Sequence, residues 1–354
     1  MIKVHTHFTH AQNWLGRFQG YKPAFVCVLG FTATCLIAGI SSAGLTAADR
    51  QRTAIADAEL LSWGRSSRLP SLSAGVSPAY ISRAVVAELQ LPLYIFNAGL
   101  PHPLTCPHID LGGIPAQCLT TGRALPYDRV QHLFQQGLHW GKQLALYPYV
   151  ILSECVVGGT TTALAVLTAL GYDARDKIGS SHPVCNHEQK WQVVQQGLSK
   201  ISPPHDPLAI VSALGDPMQI VLAGMVIALS PTVGVLLAGG TQMLAVYALA
   251  EHLAQTLDLA WHRENIIIGT TRWVAEDPTA QVIALAQQFP VPFVAGQLCL
   301  ANSQYPELRA YESGFVKEGV GAGGAVISAH LYQNWQNQDF VQAIEQTLAE
   351  ARSQ

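Results

Sequence analysis

Glu154 stands where a carboxylate could act on a bound ligand, between an apolar run and a glycine turn. Three threonines follow this turn, so the segment contains Gly158, Gly159, Thr160, Thr161 and Thr162. Glycines let the backbone approach a ligand closely, and N–H and hydroxyl groups at the start of a helix favour an anion. The pattern indicates a phosphate or carboxylate site, and a simple glycine turn with a threonine N-cap is the alternative. It lacks the GK[ST] ending of a Walker A loop, so it does not predict nucleoside triphosphate binding.

Glu318 is the second candidate carboxylate, in the segment KEGVGAGGA at 317–325. Gly319, Gly321 and Gly324 satisfy the pattern GxGxxG, but no strand precedes them and too little chain follows to complete a βαβ unit. The segment therefore lacks the strand and the βαβ unit that a dinucleotide-binding site requires. A carboxylate among glycines, ahead of an apolar helix, can be partly desolvated and acquire the raised pKa that a general base requires. The alternative is a glutamate that enters a helix and is favoured by the helix dipole.

Two further junctions combine glycine with the end of an apolar run. Gly239 and Gly240 follow the run at 234–237, and Gly269 ends the run at 266–269. Three such junctions in one sheet predict a single pocket. Lys190 is the nearby cation that we consider for substrate binding, and an exposed surface lysine is the alternative interpretation.

Two loops rich in histidine and cysteine raise the question of a metal. They contain His102, Cys106, His108 and Asp110 in one loop, and His182, Cys185, His187 and Glu188 in the other. Neither loop has the spacing of a zinc ribbon or of an HExxH motif. Prolines and turn residues dominate both, so we expect loops at the surface or at the rim of the site, and no metal.

Strand and helix patterns alternate along the chain and must position these residues. Short β-rich runs occur at 25–29, 93–96, 149–153, 234–237, 266–269 and 292–295. Helical patterns lie between them at 46–63, 78–89, 127–146, 160–170, 186–198 and 241–257, with another at 339–349. Helices also begin at Asp206 and Asp216, because each is a capping aspartate followed by a proline.

This alternation predicts an α/β protein. We expect a mostly parallel, doubly wound, Rossmann-like sheet with helices on both faces and a small helical lobe. Ligands bind such sheets at the carboxyl ends of the strands, which is where the three glycine junctions fall. Residues 1–22 are predicted to form an N-terminal extension, and residues 23–354 a single catalytic unit.

Charge excludes one class of partner. The chain has 20 Lys and Arg against 23 Asp and Glu, a formal net charge of -3. This balance offers no basic surface for nucleic acid or for an anionic membrane. Seven cysteines are dispersed without a CxxC pair, which predicts reduced thiols and a cytoplasmic location.

Two uncharged runs, 24–45 and 220–250, are long enough to raise an integral membrane protein as an alternative. Glycines and hydroxyl residues interrupt the first run, and Ser230-Pro231 and Gly239-Gly240 divide the second. Parallel strands buried under helices are also continuously apolar, so we expect sheet and helix here and no membrane partner.

Several segments together resemble the family of nicotinate-nucleotide–dimethylbenzimidazole phosphoribosyltransferase. These are the turn at 154–161, LGDPMQIVLAGMVIA at 214–228, VGVLLAGG at 233–240 and KEGVGAGGA at 317–325. GFTATCLIAGISSAG at 30–44 and DAELL at 57–61 are similar to its divergent archaeal and cyanobacterial branch. The resemblance covers roughly residues 25–335 in order.

The resemblance implies a transfer without a cofactor. Nicotinate mononucleotide gives its phosphoribosyl group to a nitrogen base with inversion at C1′, and nicotinate leaves. By this likeness Glu318 is the general base, Glu154 matches the acidic residue before the glycine turn, and Lys190 matches a pocket lysine. The residues expected at the substrates are Gly158, Gly159, Thr160, Thr161, Lys190, Gly239, Gly240, Gly269, Gly319 and Gly321. The family also implies a homodimer.

The chain departs from the bacterial members at one motif. They carry Asn-Thr-Thr after a Gly-Ile-Gly turn, whereas this turn contains Val157, Gly158, Gly159 and Thr160. The acceptor therefore stays open between dimethylbenzimidazole and a purine such as adenine. The alternative function is a non-catalytic protein that binds a nucleotide or a cobamide precursor on the same fold.

Overall fold

The apolar runs form one sheet in the computed structural model, which describes residues 1–66, 69–70, 72–202 and 206–353. Within these residues its strands are β1 (Ile2–Val4), β2 (Ala24–Leu29), β3 (Leu93–Asn97), β4 (Ile109–Asp110), β5 (Tyr149–Cys155), β6 (Gly234–Ala238), β7 (Ile266–Thr271) and β8 (Phe293–Gly296). Their order is β1-β8-β7-β6-β5-β2-β3-β4, and only β1 and β8 are antiparallel. The predicted mostly parallel sheet is confirmed.

Helices surround the sheet and include every helix that the sequence predicts. Their bounds are α1 (Phe8–Phe18), α2 (Ala47–Trp63), α3 (Ala79–Glu88), α4 (Tyr127–Leu144), α5 (Gly159–Ala169), α6 (His187–Leu198), α7 (Pro207–Leu214), α8 (Pro217–Leu229), α9 (Thr241–Thr256), α10 (Arg272–Ala275), α11 (Val282–Ala286), α12 (Pro306–Arg309), α13 (Ala322–Gln333) and α14 (Asn337–Arg352). The predicted capping aspartates are confirmed, because Asp206 accepts from the N–H of Leu208 and Asp216 from that of Met218. Helices α6 and α7 pack against α5 as a small lobe.

Alternate residues of each central strand enter two separate hydrophobic cores. In β2, Val26 and Val28 face the core formed with α4, α5, α8 and α9. Phe25 and Cys27 face the core formed with α2, α3, α13 and α14. A strand covered on both faces is apolar throughout, and the two uncharged runs contain such strands, β2 in the first and β6 in the second. The second run also contains most of the buried helix α8 and part of the buried helix α9. No helix of the described residues has the length and apolar character that crossing a membrane requires.

Residues 1–22, expected as an extension, pack onto the rest of the chain. Strand β1 pairs with β8 at the edge of the sheet, and α1 buries Ala11, Trp14 and Phe18. These positions are three and four residues apart, so they lie on one face of the helix. The indole N–H of Trp14 donates to the carbonyl of Asn265 at 2.8 Å, and Phe18 contacts Tyr149 at a ring-centroid distance of 5.3 Å.

The strand order reverses between β2 and β5. From β2 the chain continues to β3 on one side, whereas from β5 it continues to β6, β7 and β8 on the other. The connections that follow β2 and β5 therefore leave toward opposite sides and open a crevice at their carboxyl ends. Ligands of doubly wound folds bind in such a crevice.

Candidate active site

A cleft of about 240 Å³ lies at this reversal point, at the carboxyl ends of β5 and β6. The turn at 154–160 and the start of α9 form its floor, and loops from other parts of the chain form its walls. These wall loops are 41–43, 72–78, 179–181 and 315–320. The glycine turn, the second glycine junction and the KEGVG segment thus meet in one place.

Glu154, the next-to-last residue of β5, is buried beside the cleft with 5% of its surface exposed. One carboxylate oxygen accepts from the N–H of Val156 at 2.9 Å, and the other accepts from the Gln242 side chain at 2.8 Å. Burial, reinforced by the nearby carboxylates of Asp216 and Glu318, raises the pKa of Glu154 to about 8. Around neutral pH this side chain is mostly protonated, and a positive charge beside it would favour the ionised form.

Glu318 is held by four hydrogen-bond donors, two on each carboxylate oxygen. Oε2 accepts from the hydroxyl of Thr270 at 3.0 Å and the N–H of Thr271 at 2.8 Å, at the end of β7. Oε1 accepts from the N–H groups of Gly319 at 3.1 Å and Gly323 at 3.2 Å, the latter in the first turn of α13. Burial raises the pKa of Glu318 above its ordinary value, and the four donors oppose this shift by stabilising the carboxylate.

The KEGVG segment is fixed against β5 by its backbone. The N–H of Val320 donates to the carbonyl of Glu154 at 3.2 Å, which holds the wall segment of Glu318 against the floor at Glu154. Lys317 and Val320 both have positive φ, 64° and 51°, a conformation that is uncommon outside glycine. Such strained residues persist where the surrounding structure fixes them, and they occur often at functional sites.

The turn before α5 presents backbone to the cleft. Gly158 has φ of 84°, in the left-handed region that favours glycine, and it caps the helix. A Cβ atom at Gly159 would lie only 1.8 Å from Oε1 of Gln242, so a side chain there would displace Gln242. Thr160 lines the cleft at the first turn of an 11-residue helix. The positive end of the helix dipole makes this turn suited to an anion.

Lys317, which lines the cleft, forms a buried ion pair with Asp277. The Nζ atom of Lys317 lies 2.5 Å from a carboxylate oxygen of Asp277, and both side chains are 3% exposed. Burial acts to raise the pKa of Asp277, but the hydrogen bonds from Lys317 and Thr279 together outweigh it, so that this pKa lies below its ordinary value. The thiol of Cys185 lies 3.6 Å from the same oxygen of Asp277.

Asp57 brings a third carboxylate to the cleft, from α2. It accepts a hydrogen bond of 2.5 Å from the hydroxyl of Ser77 and a weak one of 3.4 Å from the thiol of Cys155. Burial raises the pKa of Asp57 to about 6, against the effect of these two hydrogen bonds.

Seven of the predicted site residues line the cleft, and five lie outside its lining. Those that line the cleft are Glu154, Gly158, Gly159, Thr160, Gly240, Glu318 and Gly319. The predicted residues outside its lining are Thr161, Lys190, Gly239, Gly269 and Gly321.

Tight packing accounts for two of the residues outside the lining. A Cβ atom at Gly269 would lie 2.6 Å from Ile327, and one at Gly321 would lie 2.5 Å from Ser153. These two glycines allow strands and helices to approach closely behind the cleft. Thr161 is buried, and its hydroxyl has no hydrogen-bond partner within the described chain.

Lys190 lies directly behind the cleft wall. It is 1% exposed, which excludes the alternative of a surface lysine, and its Nζ donates to the carbonyl of Gly179 at 2.7 Å. Burial, with a smaller effect of Lys317, lowers the pKa of Lys190 to about 7. Gly179 lines the cleft, so Lys190 supports the wall loop at 179–181.

Four residues of the site had no clear signal as site residues in the sequence: Asp57, Gln242, Asp277 and Lys317. Asp57 lies inside a helix with apolar neighbours, and only its polarity on a buried face could have indicated a function. Lys317 directly precedes Glu318, but nothing in the local pattern pairs it with Asp277, which is forty residues earlier.

Histidine side chains in the two loops lie within hydrogen-bond distance of backbone carbonyl oxygens. His182 Nε2 lies 3.0 Å from the carbonyl oxygen of Gly39, and His187 Nε2 lies 2.7 Å from that of Thr279. His108 Nδ1 lies 2.9 Å from the carbonyl oxygen of Cys106. Among the residues that the structure describes, no three His, Cys, Asp or Glu side chains are grouped to hold a metal ion.

Comparison with known proteins shows the family to which this chain belongs. Residues 83–262 match the family model DBI_PRT, described as phosphoribosyltransferase. The matched range contains Glu154 and the glycine turn, and it ends before Glu318. The fold is similar to the crystal structure of nicotinate-nucleotide-dimethylbenzimidazole phosphoribosyltransferase from Thermus thermophilus. The TM-score is 0.62 at 15% identity, over 96% of this chain and 92% of that chain.

The chain belongs to this phosphoribosyltransferase family. Its similar relatives include the UPF0284 protein of Cyanothece sp. (strain PCC 7425), 59% identical over 98% of this chain and 96% of the relative. The UPF0284 protein of Nostoc sp. (strain PCC 7120) is 54% identical over 98% of both chains. The resemblance inferred from the sequence segments is thereby confirmed.

Proposed function

We propose that the protein transfers the phosphoribosyl group of nicotinate mononucleotide to a nitrogen base and releases nicotinate, for the lower ligand of a cobamide. The observation that carries this proposal is Glu318, a carboxylate held by four donors in the wall segment that hydrogen-bonds to the backbone of Glu154. The family assignment and the fold support the same reaction class.

The phosphate of the mononucleotide is assigned to the turn that precedes α5. Gly158, Gly159 and Thr160 line the cleft there, and the start of an 11-residue helix favours negative charge. The N–H of Gly159 donates to the carbonyl of Val156 at 3.0 Å, so the N–H groups of Gly158 and Thr160 are the ones proposed for the phosphate oxygens. Ser180 and Ser181 add hydroxyl groups from the facing wall loop.

Glu318 acts in this proposal as the general base. One ring nitrogen of the acceptor attacks C1′ and forms the new C–N bond, while its other ring nitrogen loses a proton to the Glu318 carboxylate. The bond between C1′ and the pyridinium nitrogen breaks, and its electron pair leaves with nicotinate. Attack opposite the leaving group inverts C1′. Burial raises the pKa of Glu318, which makes it a stronger base than an exposed carboxylate.

Glu154 stabilises the positive charge that develops at C1′. In the transition state the ribose resembles an oxocarbenium ion, and a nearby carboxylate favours that charge. The pKa of Glu154 is about 8, so the free side chain is mostly protonated around neutral pH. In this proposal it releases that proton to solvent when the cationic pyridinium of the mononucleotide binds, and it is a carboxylate before positive charge develops at C1′. Holding both substrates in one cleft supplies further acceleration, because their reacting atoms no longer need to meet by diffusion.

Nicotinate release measures the reaction directly. The protein is incubated with nicotinate mononucleotide and either dimethylbenzimidazole, adenine or no base. Release that requires a base, and that falls at least about 100-fold in Glu318→Gln, supports the proposal. Glu276→Gln is the matched control, because Glu276 is exposed and pairs with Lys3 at the surface.

Titration calorimetry with the mononucleotide separates catalysis from binding. Glu318→Gln is expected to keep its affinity for the mononucleotide, since the base acts on the other substrate. Binding by the wild type without release for any base would contradict the transferase and favour the non-catalytic binding protein.

A further inference from the structure

Asp57 lines the cleft but has no role yet in the proposed transfer. Its side chain is 3% exposed and lines the cleft together with Leu72, Val76 and Pro78. These neighbours are apolar, whereas Thr160 and Ser180 lie on the part that we assign to phosphate. An apolar lining suits an aromatic base, and Asp57 is joined to the loop at 72–78 through the hydroxyl of Ser77.

The hydrogen bonds of Asp57 leave it able to accept more. Its Oδ1 accepts from Ser77 and its Oδ2 from the Cys155 thiol, which is a weak donor at 3.4 Å. A carboxylate has about four acceptor positions, so about two stay open. Within the described chain no lysine or arginine forms an ion pair with Asp57. A buried carboxylate without a cation gains from any donor that a ligand supplies.

Asp57 and Glu318 belong to neighbouring segments of the cleft wall. A Cβ atom on Gly319, the residue after Glu318, would lie 3.1 Å from Pro78, and Ser77, the residue before Pro78, donates to Asp57. Tyr311 donates to the carbonyl of Val76 in the same loop that lines the apolar part. A flat base whose ring nitrogen meets Glu318 would therefore direct its far edge toward Asp57.

We propose that Asp57 selects an acceptor base with an N–H donor on its outer edge, as an aminopurine has, over a base that bears only methyl groups there. This inference rests on the proposed function. An amino group would donate to an open position of the carboxylate, whereas a methyl group would bury the carboxylate without compensation. Sites built on buried polar groups reject analogues that lack the matching group.

Adenine and 6-methylpurine form a matched pair for the test, because they differ only by an amino or a methyl group. The ratio of kcat/KM for nicotinate release with the two bases is measured in the wild type, Asp57→Leu and Asp57→Asn. The wild type is expected to prefer adenine by about 10- to 100-fold. Asp57→Leu should lose that preference. Asp57→Asn keeps one acceptor oxygen and should lose part of the preference for adenine. This variant provides the test if Asp57→Leu fails to fold.

Asp258→Asn is the control, since Asp258 is exposed, and its ratio should equal that of the wild type. A wild type that prefers neither base, or a preference that survives both Asp57 substitutions, would overturn the role of Asp57 while leaving the transferase intact. Absence of release with dimethylbenzimidazole, adenine and 6-methylpurine would instead overturn the proposed function and this inference with it.

Discussion

The four donors on Glu318 set its acid–base behaviour. They favour the carboxylate, yet burial outweighs them and the pKa of Glu318 lies above the ordinary value of 4.5. A general base must be ionised to accept a proton. The proportion of active enzyme therefore falls as the pH falls through this raised pKa.

The pH dependence of kcat/KM checks this balance. We expect activity to decline toward low pH with a midpoint above 4.5, measured by nicotinate release at saturating base. A midpoint at or below 4.5 would mean that the donors dominate and that Glu318 has no raised pKa. Denaturation curves at each pH confirm that the loss precedes acid unfolding.

The proton held by Glu154 makes the free energy of unfolding depend on pH. The pKa of Glu154 is about 8 in the folded protein and about 4.3 in an unfolded chain. Between these values the folded state binds more protons than the unfolded state, so the free energy of unfolding falls as the pH rises.

Urea denaturation at about pH 5.5 and about pH 8.5 tests whether the free energy of unfolding falls as the pH rises. The wild type should lose stability on going to the higher pH, by about 1–3 kcal/mol from this residue. Glu154→Gln is neutral at both pH values and should lose correspondingly less. Equal losses in the two proteins would show that Glu154 does not hold its proton.

At the scale of elements, two helices approach closely because their contact is made by glycines. A Cβ atom on Gly224 of α8 would lie 2.7 Å from the Phe134 carbonyl oxygen and 2.9 Å from the Leu138 nitrogen of α4. One on Gly137 would lie 2.3 Å from the Val221 carbonyl oxygen. Helix α8 begins with the buried cap Asp216, and the charge of Asp216 contributes to the raised pKa of Glu154.

Gly224→Ala is expected to lower the free energy of unfolding by about 1–3 kcal/mol, because the added methyl group forces α4 and α8 apart. Gly16→Ala is the matched control, since nothing lies within 4 Å of its Cβ position in α1. The control should be neutral or more stable by about 1 kcal/mol. Thermal unfolding followed by circular dichroism measures both. A Gly224 variant as stable as its control would contradict the close helix contact.

The local patterns predicted most elements and the general position of the site. Apolar runs marked the strands, and the glycine junctions after 149–153 and 234–237 lie at the cleft, whereas the third predicted junction, at Gly269, lies outside its lining. Contacts between distant segments could not be predicted in this way. The ion pair of Lys317 with Asp277 and the place of Asp57 depend on how loops from different strands converge, which periodicity does not encode.

At the scale of the whole molecule, residues 1–22 are part of the packed structure. Trp14 and Phe18 of α1 lie against Tyr149 at the start of the central strand β5. The sheet edge is completed by β1 on β8. The first residues of the chain therefore contact the strand that carries Glu154.

Trp14→Ala should lower the free energy of unfolding by about 3–5 kcal/mol, because a large buried ring is removed and a cavity is left. Phe8→Ala is the control on the same helix, where the side chain is 60% exposed and the loss should stay below about 0.5 kcal/mol. Urea denaturation of both variants measures the difference. Equal effects would mean that α1 is an extension that contributes no stability.

The central claim is a transfer, and its two products test it most directly. The wild type is incubated with nicotinate mononucleotide and adenine or dimethylbenzimidazole, and nicotinate and the ribosylated base 5′-phosphate are quantified together by chromatography and mass spectrometry. We predict equal amounts of the two products, with both lost in Glu318→Gln. Nicotinate formed without any ribosylated base, or ribosylation that is unchanged by Glu318→Gln, would contradict the account.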